Sequence, residues 1–392
     1  MTITFPEGFV WGVASAAHQI EGGNWNNDWW AWEHDPRTRC VEVSGDACDS
    51  LNRFADDIAL VRDFGFGSYR FSIEWSRVEP EDGEVSLAAL DHYRRVLATC
   101  HENGVAPAVT FHHFTTPRWM AERGGWAEPA IVDRFATFCE KAVAHLGDLI
   151  ALGCTINEPN VVSLLGYVMG TFPPGLADFS LYAKVAEHLR DAHGRAYDAL
   201  KAGPGDFPVG LTVSMSDWWT PEGGEPGLER ARAMHEDSYL EAARGNDFVG
   251  VQAYTRTRIG LDGLPMDPDP GTPIVESMGY EYWPQSLEAS IRHAIDVTGA
   301  PVYVTENGIG TDDDPTRIAY VTEALQGVGR CLADGLDVRG YTYWSLLDNF
   351  EWAEGYKPRF GLVAVDRETF VRTPKPSAAW LGAIARAGRL DA

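Results

Sequence analysis

Eight short β-rich runs alternate with amphipathic stretches along the whole chain, and this alternation limits the fold more than any other feature. The runs are Phe9–Ala14, Ser68–Ile73, Ala106–Phe111, Leu152–Ile156, Val209–Val213, Phe248–Val251, Val302–Thr305 and Tyr341–Trp344. Between them Ser50–Phe64, Ser86–Asn103, Glu128–Leu146, Ser180–Lys201 and Arg317–Asp334 carry helical periodicity. Asp49 or Ser50 can cap the first of these helices, and Gly104 closes the second. Strands joined by helices give either an open doubly wound sheet or a closed (β/α)8 barrel, and eight is the number that closes the barrel. No linker, low-complexity tract or composition shift divides the 392 residues. Residues 1–392 are therefore expected to form a single (β/α)8 TIM barrel.

The placement of polar residues decides between the two architectures. Run one leads into Ser15 to Glu21, and run two begins with Arg70 and leads to Glu74 and Trp75. Run three ends at His112-His113, run four at Asn157-Glu158 and run six at Gln252 and Tyr254. Run seven ends at Glu306-Asn307 and run eight at Trp344-Ser345. In a barrel these carboxyl ends converge on one face, where barrel enzymes carry their chemistry.

Two of those ends matter most. Cys154-Thr-Ile-Asn-Glu-Pro159 and Val302-Tyr-Val-Thr-Glu-Asn-Gly308 are apolar runs that deliver a Glu and then stop at a breaker, which confines each carboxylate to the strand mouth. A lone Glu is most simply half of a structural ion pair. A pair held across one cavity is what glycoside hydrolysis requires, with carboxyls about 5–5.5 Å apart in retaining enzymes. The 14 Trp residues agree with a carbohydrate ligand, since indole faces pack on sugar C–H surfaces, although burial also accounts for tryptophan.

At this point the chain resembles glycoside hydrolase family 1, the β-glucosidases and β-galactosidases. The resemblance runs from Phe5 to about Trp380. It is carried by Phe5-Pro-Glu-Gly-Phe-Val-Trp-Gly-Val-Ala-Ser-Ala-Ala-His-Gln-Ile-Glu-Gly22, Thr155-Ile-Asn-Glu-Pro159, Thr305-Glu-Asn-Gly308, Trp344-Ser-Leu-Leu-Asp-Asn-Phe-Glu-Trp-Ala-Glu-Gly355 and Arg359-Phe-Gly361. It implies a retaining, exo-acting β-glycosidase, foremost a β-D-glucosidase, with galactosides and fucosides as further substrates and transglycosylation by the same residues. A sugar-binding barrel without catalysis is the contrary reading, and retention of both carboxylates speaks against it.

The resemblance assigns Glu306 as nucleophile and Glu158 as acid/base. Arg70 and Tyr254 are expected to hold Glu306 and to lower its pKa, while Glu306 raises that of Glu158. Gln19, His113, Asn157, Glu351, Trp352 and Phe360 correspond to sugar-reading positions, with Asn157 at the 2-OH and Trp344 as a platform. An acidic Glu351 is expected to repel a 6-phosphate, which implies an unphosphorylated sugar. Departures from the family pattern stand at Phe114, where Trp is common, at Gln252-Ala253 in place of Asn-Tyr, and at Asn160 in place of Trp. The segment Met215 to Asp247 lacks a long insert. These departures should remodel the aglycone side, where Trp218, Trp219 and Trp283 are either acceptor platforms or loop packing.

The rest of the sequence excludes more than it adds. A net charge of −25 disfavours nucleic acid and anionic lipid. No apolar run nears the roughly 20 residues of a membrane span, and Met1 to Phe9 lacks the features of a leader, so a cytoplasmic location is expected. The six cysteines show no C-x-x-C pair, and Cys40 and Cys48 share a loop. His112 and His113 point to opposite faces of a strand, which removes them as a shared metal site. No metal or cofactor is expected; the partner is a small β-glycoside.

Overall fold

The computed structural model describes Thr2–Asp391. Eight parallel strands close a barrel: β1 (Val10–Ala14), β2 (Ser68–Ser72), β3 (Ala106–His112), β4 (Leu152–Asn157), β5 (Val209–Trp219), β6 (Phe248–Arg258), β7 (Val302–Asn307) and β8 (Val338–Trp344). Each pairs with the next in sequence and β8 closes on β1, so the expected (β/α)8 architecture is the one observed. Each strand carries buried apolar residues such as Val13, Phe71, Val109, Ile156, Leu211, Val249, Val304 and Tyr341, because a parallel barrel buries both of its strands' faces. Their register brings Ala14 beside Arg70, Asn157 beside Thr212 and Glu306 beside Gln252.

Eight helices cover the outside: α1 (Ser50–Phe64), α2 (Leu87–Glu102), α3 (Ala130–Leu146), α4 (Tyr182–Ala202), α5 (Glu225–Arg232), α6 (Ser286–Thr298), α7 (Asp314–Ala333) and α8 (Pro376–Ala387). Their inner stripes, for example Val61, Leu97, Phe135, Leu189, Ile291 and Leu325, are fully buried against the strands. Each such side chain contributes about 1.5–3 kcal/mol through burial. Phe135 of α3 lies 6.0 Å from the His112 ring, which also meets Trp126 edge-on at 5.0 Å. That aromatic layer holds His112 on the outside of the barrel and leaves His113 to turn inwards.

The start of α1 corrects the capping expectation. Asp49 takes a left-handed backbone (φ 54°) without a capping bond, and its carboxylate accepts from Arg53 Nε at 2.9 Å. The Ser50 hydroxyl donates to Asp57 at 2.7 Å, so it is committed to the buried Asp57–Arg372 pair. Helix α2 ends as expected: Gly104 adopts φ +69° one residue beyond its last turn.

Strands β5 and β6 run 11 residues each and rise past the others. The sequence runs ended at Val213 and Val251 because the extension is polar and aromatic rather than aliphatic. It is held by the Ser216 N–H and the Trp218 Nε1–H, which donate to Glu236 at 2.8 and 2.6 Å. Arg256 and Arg258 lie over the Trp283 and Trp219 rings, 3.9 and 4.9 Å from their centroids. All six cysteines are free thiols, Cys40 and Cys48 included. Among the described residues no helix is long and apolar enough to cross a membrane, and no cluster of His, Cys, Asp and Glu has a metal-binding arrangement.

Candidate active site

The carboxyl ends of the strands surround a cavity of about 160 Å³, lined by His113, Asn157, Glu158, Tyr254, Glu306, Trp344, Glu351, Trp352 and Phe360 among others. A roomier cavity of about 470 Å³ around Trp25, Asn52 and His92 contains no carboxylate.

Glu158 is the residue at which β4 turns into the short helix Pro159–Ser163. Its N–H still donates to Thr212 O at 2.9 Å, as a strand residue would, while its carbonyl accepts from Val161 N at 2.9 Å, as a helix cap does. Both duties force φ 44°, ψ 60°. Phe114 (φ 69°) and Trp352 (φ 54°) also hold left-handed backbones and line the same cavity. Such conformations cost about 1–3 kcal/mol each in non-glycine residues and gather where the surrounding fold enforces a geometry. At the other carboxylate the breaker acts differently. Gly308 is needed because a Cβ there would run into the Trp344 carbonyl oxygen.

Glu306 is 4% exposed. Its Oε1 accepts from Arg70 Nη1 at 2.5 Å and from Gln252 Nε2 at 2.7 Å, and its Oε2 accepts from Tyr254 Oη at 2.6 Å. The expected partners are therefore in place and both favour the charged form as expected, but burial outweighs them. Burial raises the Glu306 carboxyl above its ordinary range, and Arg70 and Tyr254 pull it back only in part. Glu158 is raised as well: burial and the charge of Glu306 push it well above the ordinary carboxylate range. What separates the two groups is their partners: Arg70, Gln252 and Tyr254 all donate to Glu306, and such donors favour the charged form.

Asn157 Oδ1 accepts from Arg70 Nη2 at 2.5 Å, Gln252 Nε2 at 2.9 Å and Thr212 Oγ1 at 3.3 Å. Its Nδ2 lies 3.3 Å from His113 Nε2. His113 is sandwiched against Trp344 and Trp352, at 5.7 and 6.1 Å with interplanar angles of 16° and 13°. Burial and the Arg70 charge hold it well below the usual histidine range, so the ring is neutral. Glu351 accepts from Trp344 Nε1 at 3.2 Å and Gln19 Nε2 at 3.3 Å. Burial raises its pKa to about 8 against those two donors. Gln19 itself is wholly buried and also donates to Phe350 O at 2.8 Å, which sets it behind Glu351 rather than in the wall. Arg70 likewise acts from behind, through Glu306 and Asn157.

Met278 and Tyr280, from the β6–β7 connection, also line the wall, as do Val161 and Phe172, and none of the four was anticipated. The aromatic string Tyr280-Glu-Tyr-Trp283 was the only signal of the first two. Gln252 was noticed as a departure but not as a ligand of Glu306. Around the cavity, Gln19 Oε1, His113 Nδ1, Gln252 Oε1 and Tyr280 Oη are buried without a hydrogen-bond partner. Asn160 faces away from the cavity, donating to Ser214 O at 2.7 Å and accepting from Ser214 N at 3.3 Å. The three tryptophans weighed as platforms are engaged structurally. Trp218 donates to Glu236, Trp283 donates to Asp217 at 2.8 Å, and arginines cover Trp219 and Trp283.

A (β/α)8 barrel with two buried carboxyls in an aromatic, polar cavity has the parts that a glycoside hydrolase of the barrel type requires. The sequence profile of glycosyl hydrolase family 1 matches residues 1–258 and 265–389, and the chain belongs to that family. β-Glucosidase A of Thermotoga maritima is 32% identical over 443 aligned positions, covering 99% of each chain. That alignment is longer than the 392 residues here, so the relative carries loops that this chain lacks. The crystal structure of β-glycosidase BGL167 superposes with a TM-score of 0.92 at 47% identity, over 98% of this chain and 97% of that one. The β-glucosidase from Thermotoga maritima in complex with glucoimidazole superposes with a TM-score of 0.92 at 30% identity, over 98% and 99% of the two chains.

Proposed function

We propose that this protein is a retaining, exo-acting β-glycosidase that releases terminal glucose from small β-glucosides. The observation that carries the reading is the unequal pair: Glu158 and Glu306 share one cavity, and it is Glu306 whose carboxylate accepts from Arg70, Gln252 and Tyr254. Glu306 is the nucleophile. Its Oε2 bonds to the anomeric carbon as the glycosidic C–O bond breaks, and Glu158 gives its proton to the departing oxygen. Forming the glycosyl ester removes the negative charge on Glu306 and with it the repulsion that raised Glu158. Glu158 then takes a proton from water, the water oxygen replaces Glu306 at the anomeric carbon, and both carboxyls regain their starting states.

The walls support a sugar as the occupant. Trp344 and Trp352 supply flat apolar faces, while His113, Asn157 and Glu351 supply donors and acceptors, with Gln19 backing Glu351. The partnerless Tyr280 Oη adds hydrogen-bonding capacity that a polyhydroxylated ring can use. Phe360 and Tyr254 meet edge-on at 5.9 Å and close the other side. An unphosphorylated sugar is still favoured, but the reason differs from charge repulsion by Glu351. At neutral pH a carboxyl with a pKa of about 8 is mostly protonated. A 6-phosphate is disfavoured because, among the described residues, no Lys or Arg lines the cavity, and Arg70 behind it is already neutralised by Glu306.

Proton NMR of 4-nitrophenyl β-D-glucoside turnover tests the reading. Early release of β-glucose supports double displacement, whereas early α-glucose would exclude the roles given to Glu158 and Glu306. Repeating the assay with the galactoside and fucoside ranks the glycones.

A further inference from the structure

We infer that Gln252 is a positioning residue that fixes the rotation of the Glu306 carboxylate and the orientation of the Asn157 amide at the same time. The inference deepens the proposed function and rests on it for the names of the reacting groups.

Parallel pairing of β6 with β7 sets Gln252 directly opposite Glu306. From there its Nε2 donates to Glu306 Oε1 at 2.7 Å and to Asn157 Oδ1 at 2.9 Å. Arg70, from β2, grips the same two oxygens at 2.5 Å each. Four side chains from four strands thus form a closed ring in which two donor groups bridge two acceptors.

The chemistry of the ring permits one arrangement. Reversing the Gln252 amide would set its oxygen against two acceptor oxygens, so the Nε2 must face Glu306 and Asn157. Asn157 Oδ1 then receives three donors, counting Thr212, and only its Nδ2 remains to serve a sugar hydroxyl. On Glu306, Oε1 is taken by Arg70 and Gln252, while Oε2 carries the single bond from Tyr254. Oε2 is consequently the oxygen free to attack, and Oε1 becomes the ester carbonyl, still held by Arg70 and Gln252. Gln252 Oε1 is buried without a partner. An amide with an unsatisfied oxygen is hard to explain as core packing, where an apolar side chain of the same shape would serve without that loss.

The test replaces Gln252 with Met, which keeps length and volume but removes the donor. Glu306 would be followed by carbon NMR in protein carrying [δ-13C]Glu, assigned with Glu306→Gln. Among the described residues, the other charged or titratable groups around it are Arg70 from β2, His113 beyond β3, Cys154 from β4, Glu158 beyond β4, Tyr254 from β6 and Glu351 beyond β8, all unchanged in the variant. Loss of one donor to the carboxylate should raise the Glu306 titration midpoint by about one pH unit. The acid limb of kcat/KM should move with it. The penalty for deleting the substrate 2-OH should also shrink, because Asn157 is no longer held. Gln252→Asn, which keeps an amide drawn back by one methylene, should shift the midpoint by less than the Met variant and serves if that variant does not fold. An unchanged midpoint in a folded variant would overturn the inference. A wild-type protein that titrates normally but turns over no β-glycoside would sink the proposed function instead, and the titration would still decide Gln252.

Discussion

Glu236 lies outside the catalytic cavity and gives the sharpest stability test that the structure offers. It is 1% exposed, on the π-helical turn Ala233–Asp237 that follows α5. Its Oε1 accepts from Ser216 N and Trp218 Nε1, while Oε2 is buried with no partner. Burial raises its pKa from 4.5 to about 8, and the two donors offset only part of the effect. The native state therefore keeps a proton that the unfolded chain releases near 4.5. By linkage, stability is unaffected below that pH, falls as pH climbs from 4.5 towards 8, and levels off above. The interval amounts to about 5 kcal/mol at roughly 1.4 kcal/mol per pH unit.

Glu236→Gln keeps the oxygen that accepts both donors and cannot ionise. At pH 4.5 the variant and the parent should differ by less than about 1 kcal/mol. At pH 9 the variant should be more stable by about 5 kcal/mol. With an unfolding entropy of about 2.1 cal/mol/K per residue, that is a rise of about 6 °C in Tm for a chain of this size. Other raised groups, such as Asp28 at about 7 and Glu351 at about 8, are common to both proteins and cancel. Scanning calorimetry of the pair between pH 4.5 and 9 measures the difference directly. A Tm difference that stays constant with pH, or that favours the parent at pH 9, would refute the reasoning.

Three predictions concern the chemistry. Glu158→Gln should lower kcat/KM about 10²–10⁴-fold on cellobiose, whose leaving group needs a proton, and far less on 2,4-dinitrophenyl β-D-glucoside. Equal losses on the two substrates would contradict the acid role. Glu306→Gly should abolish hydrolysis yet accept azide to give the α-glycosyl azide, identified by its anomeric proton; the β-azide would exclude Glu306 as nucleophile. Tyr254→Phe removes a charge-assisted bond worth about 1.5–3 kcal/mol, so kcat/KM should fall by roughly 10–150-fold. The lost donor stabilised the ionised form, so Glu306 should also titrate higher and the acid limb of the pH–rate profile should move up.

What the sequence made legible and what it hid follow from the range of the forces involved. Strand ends, breakers and helix periodicity are local, and they were sufficient to place Glu158, Glu306, Arg70 and Tyr254 at one barrel mouth. The upward pKa of Glu306 was hidden because its charged neighbours can be read along the chain, whereas the depth of burial that outweighs them is set by strands distant in sequence. The same limit applies to the extension of β5 and β6. Trp219 and Trp283 look like free platforms until Arg258 and Arg256, from β6, are laid over them, although Trp219 keeps 37% of its surface exposed. Gln252 illustrates the point most directly. In the sequence it is one amide where another is usual. Its role emerges only when pairing with β7 sets it across from Glu306 and Arg70 arrives from the far side of the barrel. Residues that act through a second side chain leave no periodic signal of their own, and the ring joining Gln252, Arg70, Asn157 and Glu306 exists only once the barrel is closed.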